Sequence, residues 1–332
     1  MANSILHAGK LPVVMLRKLL ETGRPPPMDL LLPPAVGEDA GVIDIAGGAL
    51  VAATDPITLT GRSIGGHAVV VNANDVAVMG VQPRWFLAVF LLPIGTTEDD
   101  VKEVFDGMRV VLDRLDIDLV GGHTEITPTV TQPVIVGQML GYRPDGKFLR
   151  TGGVRQNDVI LQIGPAPIEG AAVLANEAAD RLSALSVEIL TCARRALDEP
   201  GISVVKPALL ATELGATALH DPTEGGLSAG LYELAEASNL ALCVDMDAVL
   251  WFDPGLRICK ALGADPWGVL ASGTLLAAFP EARADKAIKA LTGEGFLTSV
   301  IAYPELGDGI RSRDGQLFRR YEQDELSRIL SP

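Results

Sequence analysis

At 332 residues the chain has room for about two domains. With 48% hydrophobic and 21% charged residues it can build ordinary cores without disulfide or metal staples. Its formal net charge of -15, with no run of Lys or Arg, excludes a duplex-binding surface, because neutralising backbone phosphates needs clustered cations.

Residues 11–22 read as a short helix, followed by a Pro-rich loop at 24–34. Residues 5–20 are broken by His7, Lys10, Pro12, Arg17 and Lys18, unlike a signal peptide. No apolar run approaches bilayer length, residues 86–93 being far too short, so the expected compartment is the cytoplasm. Strands 40–45 and 49–54 flank Gly47-Gly48 as a hairpin. A helix is expected at 63–79, a strand at 85–93, and a helix at 97–115 capped by Thr96 or Thr97. Strands at 117–120 and 130–142 complete a first domain, 1–150. Arg150-Thr151-Gly152-Gly153 is the expected boundary, and 151–332 the second domain. That domain reads as strand 159–163, helices 169–180, 186–197 and 207–214, strand 217–220, a loop over 221–226 and helix 227–237. Strands 240–244, 274–279 and 297–302 then alternate with helices 255–262 and 281–291. The polar tail beyond Asp308 reads as a surface hairpin and a terminal helix.

Two familiar patterns fail on inspection. Gly141–Lys147 fits the start of a P-loop, but Phe148 replaces the required Ser or Thr, and Pro144-Asp145-Gly146 is hairpin-turn chemistry. Gly226-Leu227-Ser228-Ala229-Gly230 fits a nucleophile elbow, whose histidine must come later; His7, His67, His123 and His220 all precede it. Cys192, Cys243 and Cys259 have neither disulfide nor zinc spacing and read as small buried hydrophobes.

Four places combine a carboxylate with glycine or an amide in apolar surroundings: Gly37-Glu38-Asp39-Ala40-Gly41, Thr54-Asp55-Pro56, Asn72-Ala73-Asn74-Asp75, and Asp221-Pro222-Thr223-Glu224-Gly225-Gly226. The third is the most informative. Its helix is apolar nearly all round, hence buried, and Asn72 and Asp75, three apart, share a face. A buried carboxylate costs several kcal/mol unless paired, and there is no Lys or Arg between Arg62 and Arg84. Asp75 could instead cap a helix or meet a distant Arg. Likewise Asp39 could cap a turn, Asp55 could form an Asx-turn before Pro56, and Asp221 could cap the next helix. A divalent metal is the one explanation that covers all four. Two carboxylates about 4 Å apart repel by about 4 kcal/mol at an effective dielectric of 20, and magnesium bridges carboxylates to phosphates. The pattern therefore points to Mg-ATP, with Asp39, Asp55, Asp75 and Asp221 as metal ligands. Gly121-Gly122-His123-Thr124-Glu125, read as following a strand, offers backbone amides to phosphate, or else is a tight turn with a solvated His.

In this order, from residue 37 through 227, these motifs resemble the aminoimidazole ribonucleotide synthetase-like (PurM-like) superfamily, which includes thiamine-monophosphate kinase, selenophosphate synthetase and HypE-type hydrogenase maturation factors. The resemblance implies an α+β fold of two domains: an N-terminal domain forming a dimeric β-barrel, with ATP where subunits meet, and a C-terminal α/β sandwich. It assigns magnesium and phosphates to Asp39, Asp55 and Asp75, with Asn72, Asn74, Gly121, Gly122 and Thr124 beside the nucleotide. It also implies that the loop at 221–226 closes the site. Asp221 and Glu224 stand where the kinases carry two aspartates. His123, Glu125 and Glu224 are the acid–base candidates.

The HypE likeness is carried by Asp221-Pro222-Thr223, Gly225-Gly226-Leu227 and residues 233–238. HypE-type enzymes dehydrate a carboxamide on a C-terminal cysteine, whereas no cysteine follows Cys259 here. Ala271-Ser272-Gly273-Thr274 replaces their usual Asn-Glu-Gly-Lys. The implied activity is ATP-dependent phosphoryl transfer to, or dehydration of, a small carbonyl, amide or phosphate acceptor by a homodimer. The alternatives are a non-catalytic dimeric nucleotide-binding or maturation scaffold protein and a thiamine-monophosphate kinase-like enzyme. Neither nucleic acid nor membrane is an expected partner.

Overall fold

The computed structural model describes residues 11, 13–20, 25–58, 64–321 and 323–331. Expectations that fall on residues 5–10, 12, 21–22, 24, 59–60, 63, 322 or 332 lie outside the described residues. The chain divides into two compact units: one of residues 26–33 and 39–148, the other of Pro34–Glu38 and Leu149–Pro332 with the N-terminal helix α1 (Val13–Leu20).

The first unit is a six-stranded sheet with helices on one face. Its strands are β1 (Leu30–Leu32), β2 (Gly41–Ile45), β3 (Gly48–Ile57), β4 (Pro83–Pro93), β5 (Asp118–Thr127) and β6 (Val134–Arg143). They run in the order β1-β2-β3-β6-β4-β5, and β4 and β5 are the parallel pair. The β2–β3 hairpin turns on Ala46 and Gly47, both at positive φ, the geometry that suits a two-residue hairpin loop. β3 does not stop at Thr54 as expected. It continues through Asp55 and Pro56 to Ile57, paired with β6 all the way. β2 has ended by then, opposite Ala52, so residues 53–57 have a strand on one side only, the setting in which a strand proline is tolerated.

Helix α2 (Ile64–Val78) buries every residue except Val71, as its all-round apolar character requires. Against it packs α3 (Glu98–Leu115), whose buried face is Val104, Met108 and Leu112. Thr97 is its N-cap, and the Asp100 side chain reaches back to the Thr97 backbone, a complete capping box. The Pro144-Asp145-Gly146 segment is a turn, but no strand returns from it, so it is not a hairpin.

The second unit carries its own six-stranded sheet: β7 (Asp158–Ile163), β8 (Ala218–His220), β9 (Ala241–Val244), β10 (Leu275–Pro280), β11 (Thr298–Glu305) and β12 (Ile310–Ser312), in the order β12-β9-β11-β7-β10-β8. Its helices are α4 (Glu169–Glu177), α5 (Val187–Arg195), α6 (Val205–Leu214), α7 (Gly226–Ser238), α8 (Asp253–Leu262), α9 (Glu281–Gly293) and α10 (Glu325–Leu330). One apolar core joins α7 to the sheet through Leu227, Leu231, Leu234, Ile160, Leu276 and Ile301. A second joins α4, α5, α8 and α10. The tail forms the expected hairpin, with Arg311 bridged to Leu317 and residues 313–317 exposed, and the expected terminal helix, but both are tied into the unit. β12 pairs in parallel with β9, and Leu326 and Ile329 of α10 are buried. Of the cysteines only Cys259 is buried, and burial pushes its thiol up to about 12; Cys192 is exposed and Cys243 half-buried. Among the described residues no helix is long and apolar enough to cross a membrane.

Candidate functional site

In the first unit the site is built where α2 crosses β3. Asn72 Oδ1 accepts from the Asp55 backbone N–H at 2.9 Å, and its Nδ2 donates to the Asp55 carbonyl at 3.3 Å and to the Ala68 carbonyl at 2.9 Å. The amide thus pairs with both backbone groups of Asp55, as a neighbouring strand would, where β2 has run out. Gly137 lies opposite Asp55 on β6, and a Cβ there would fall 2.3 Å from Asn72 Nδ2, so a glycine lets the helix come this close. Asn72 is accordingly a residue that positions Asp55, its amide groups being committed to backbone. Asp75 lies one turn further along the same helix and is only 7% exposed. Asn74 is buried beside it. Asp39 precedes β2 by two residues, and Asp55 lies three residues beyond Ala52, where the pairing of β2 with β3 ends at Gly41.

Gly121-Gly122-His123-Thr124-Glu125 is not a loop after a strand. It is the middle of β5, the edge strand, exposed from Asp118 to Ile126. Gly122 (φ +152) lies so close to β4 that a Cβ would fall 2.2 Å from the Ala88 carbonyl oxygen. One transverse row crosses the sheet as Asp55, Gly137, Ala88 and Gly122. Three strand spacings separate its ends, about 14 Å. His123 and Glu125 face each other at 3.7 Å on the open edge, exposed, where such a pair contributes little to stability.

In the second unit the loop at 221–226 joins β8 to α7. Asp221 is buried and Glu224 half-buried. The loop is held at several points. His220 Nε2 meets Glu233 Oε2 of α7 at 2.7 Å, and the Ala271 N–H donates to the Thr223 carbonyl at 3.3 Å. Ala271-Ser272-Gly273-Thr274 thus packs directly against the loop. Gly225 and Gly226 are both at positive φ, and the Gly225 N–H donates to Asp324 Oδ2 at 2.7 Å. Ser228 is fully buried and its hydroxyl donates to the Arg319 carbonyl at 2.7 Å, which leaves the elbow-like pattern without a nucleophile. Glu38, adjacent to Asp39 in sequence, accepts from Arg150 at 3.2 Å and from the Thr151 N–H at 3.3 Å, an anchoring role.

Among the described residues no group of three or more His, Cys, Asp or Glu side chains is placed to hold a metal ion. The donor chemistry still fits magnesium, which is commonly held by one or two carboxylates plus the phosphates of its substrate. A cavity of about 530 Å³ lies elsewhere, at the N-terminal end of α2 beside Ile64, Leu92 and Val104, about 16 Å of helix from Asp75.

Family models for the AIR synthase related protein match twice: the N-terminal domain over residues 37–142 and the C-terminal domain over residues 155–311. The chain belongs to the AIR synthase related family. Both matched regions carry the acidic motifs described above. Among the family's members, the carbamoyl dehydratase HypE of Cupriavidus necator is 29% identical over 255 residues, covering 75% of this chain and 70% of that one. The thiamine-monophosphate kinase of Bacillus subtilis is 28% identical over 190 residues, covering 57% and 55%. The crystal structure of hydrogenase maturation protein HypE in complex with ATP superposes with a TM-score of 0.72 at 25% identity, covering 88% of this chain and 90% of that one. The family's two-domain α+β fold, with two mixed sheets, is the fold of this chain.

Asp324, His220 and Glu233 are members of the loop's surroundings that sequence reasoning missed. Asp324 was visible only as the N-cap of α10, where its Oδ1 accepts from the Leu326 N–H. Burial, partly opposed by hydrogen bonds from the Gly225, Leu326 and Leu270 backbones, raises its carboxyl from 3.8 to about 6. The folded chain therefore binds this proton more tightly than the unfolded chain. Stability from this group is fully present below pH 3.8 and is lost as pH rises through about 6. Wild type should gain stability relative to Asp324→Asn as pH falls from about 8 to about 4, by on the order of 3 kcal/mol. Urea unfolding of both proteins across that range measures it, and a pH-independent difference would contradict the assignment.

Proposed function

We propose that the chain is a magnesium- and ATP-dependent enzyme of the HypE type, which phosphorylates or dehydrates a carbonyl, amide or phosphate acceptor. The observation that carries this reading is the Asp55–Asn72–Asp75 arrangement. A buried amide fixes the backbone of one aspartate, and a second aspartate is buried one turn further along the same helix. The likeness to HypE and to thiamine-monophosphate kinase supports the same chemistry.

On this reading Asp39, Asp55 and Asp75 hold the metal and the phosphates in the first unit, with Asn74 supporting Asp75. Asp221 is the further metal ligand and Glu224 an acid–base group from the second unit. Bound magnesium supplies neutralisation of the charge that develops on the transferred phosphoryl oxygens. The chain's own part is positioning, which provides most of the rate in phosphoryl transfer.

The backbone of Gly121 and Gly122, with Thr124, would approach the nucleotide, and His123 and Glu125 would serve proton transfer. Their place on an open edge strand supports a homodimer in which β5 meets a second copy and the sheet closes toward a barrel. Leu119, Val120 and Ile126, at 44%, 52% and 46% exposure, give that edge an apolar character. A lone protomer would leave it to aggregate.

Calorimetric titration with ATP, with and without magnesium, tests the reading. Magnesium-dependent binding is expected, followed by phosphate release when carboxamide or carbonyl acceptors are supplied. Absence of ATP binding would instead favour the scaffold reading. Turnover confined to thiamine monophosphate would select the kinase.

A further inference from the structure

The C-terminal segment does more than complete a sheet. From Phe318 onward it lies along α7 toward the helix's N-terminus. Tyr232 OH donates to the Phe318 carbonyl at 2.8 Å, and Ser228 Oγ to the Arg319 carbonyl at 2.7 Å. Arg320 pairs with Glu236, and Asp324 receives the Gly225 N–H. The far end is fastened independently. Leu326 and Ile329 enter the core with α4, α5 and α8. Glu325 accepts from the Asp265 N–H at 3.0 Å, and Arg181 Nη1 donates to the Ile329 carbonyl at 2.8 Å.

We propose that this segment is a strap that sets the loop at 221–226, with Asp324 as its positioning residue. The turn needs such a strap because Gly225 and Gly226 are both left-handed, at φ +82 and +69. Glycine adopts that geometry freely but is not confined to it. Asp324 confines it by joining the Gly225 N–H to the Leu326 N–H through one buried carboxylate, each at 2.7 Å. Asp221 and Glu224 are thereby presented from a rigid turn. Asp324 bonds to the loop at the Gly225 backbone and lies in the field of Glu224, so it acts on the reaction through the loop's own carboxylates.

The proposal rests on the functional reading only for its kinetic consequence, so its test has two independent readouts in the full-length protein. The first is hydrogen exchange. In Asp324→Ala the Gly225 and Gly226 amides should exchange about tenfold or more faster, while amides of the distant helix α9 stay protected, the signature of local opening. The second is ATP-driven turnover, where kcat should fall about tenfold or more and by more than KM for ATP rises, because misplacing a reacting group costs mainly rate.

Asp324→Asn preserves the shape and one acceptor. It should fall between wild type and Asp324→Ala in both readouts, and it serves as the test if the alanine variant fails to fold. Unchanged exchange at Gly225 overturns the strap. Faster exchange with unaltered kcat overturns the positioning role. A wild type that turns over no ATP defeats the functional reading, and the exchange data still decide the strap.

Discussion

Asp75→Asn is expected to lower magnesium-dependent ATP turnover by at least about 100-fold while leaving the fold intact. The substitution keeps the side chain's size and most of its hydrogen-bonding reach, so what it removes is charge. One unit charge about 4 Å from a magnesium ion or phosphate cluster is worth about 4 kcal/mol at an effective dielectric of 20, or roughly 1,000-fold in rate if all of it acts in the transition state. Helix α2 contributes no Lys or Arg to replace that field. Steady-state turnover is the measurement, with circular dichroism to establish that the fold is retained. Turnover within about threefold of wild type would remove Asp75 from the site.

Gly65→Ala should be among the most damaging single methyl additions in the first unit. Gly65 sits where α2 and α3 touch backbone to backbone, and an added Cβ would fall 2.1 Å from the Val104 carbonyl oxygen and 3.2 Å from the Met108 nitrogen. Neither atom belongs to a side chain that can rotate away, so one helix must shift. The intrinsic helix propensity of alanine favours the variant by up to about 1 kcal/mol, whereas overpacking typically costs about 1–3 kcal/mol, occasionally more. With backbone as the obstacle, the clash is expected to win by about 2 kcal/mol or more. Chemical denaturation of wild type and variant gives the difference, and an unchanged or higher midpoint would show that the helices yield easily.

Much of this architecture was legible along the chain. The burial of α2 followed from its lack of a polar face, the start of α3 from the capping threonines at 96 and 97, and the loop at 221–226 from its glycines and proline. What escaped was non-local. Thr54-Asp55-Pro56 looked like a strand end because proline usually stops a ladder. Only the pairing with β6 and the early end of β2 make room for it. Gly121-Gly122 looked like a turn, since nothing in two adjacent glycines announces that one must lie against the backbone of Ala88. The residues around Asn72 pointed to a ligand site, and the chemistry they suggest remains the basis of the proposed function. That Asn72 itself substitutes for a missing strand partner could be learned only from the crossing of α2 over β3. The tail's hairpin and terminal helix were legible, but its polar composition hid the burial of Ile310, Leu326 and Ile329.

The position of β12 and α10 after α9 in the chain has a consequence for biosynthesis. Domains form as units while the ribosome is still adding residues, yet here β12 borders β9, and the carboxylate beneath Gly225 belongs to residue 324. A nascent chain that has emerged only as far as α9 already contains Asp221 and Glu224 but lacks the contacts that fix them. The loop therefore acquires its final geometry only once residue 324 has emerged, and ribosome-bound intermediates shorter than this carry it unset.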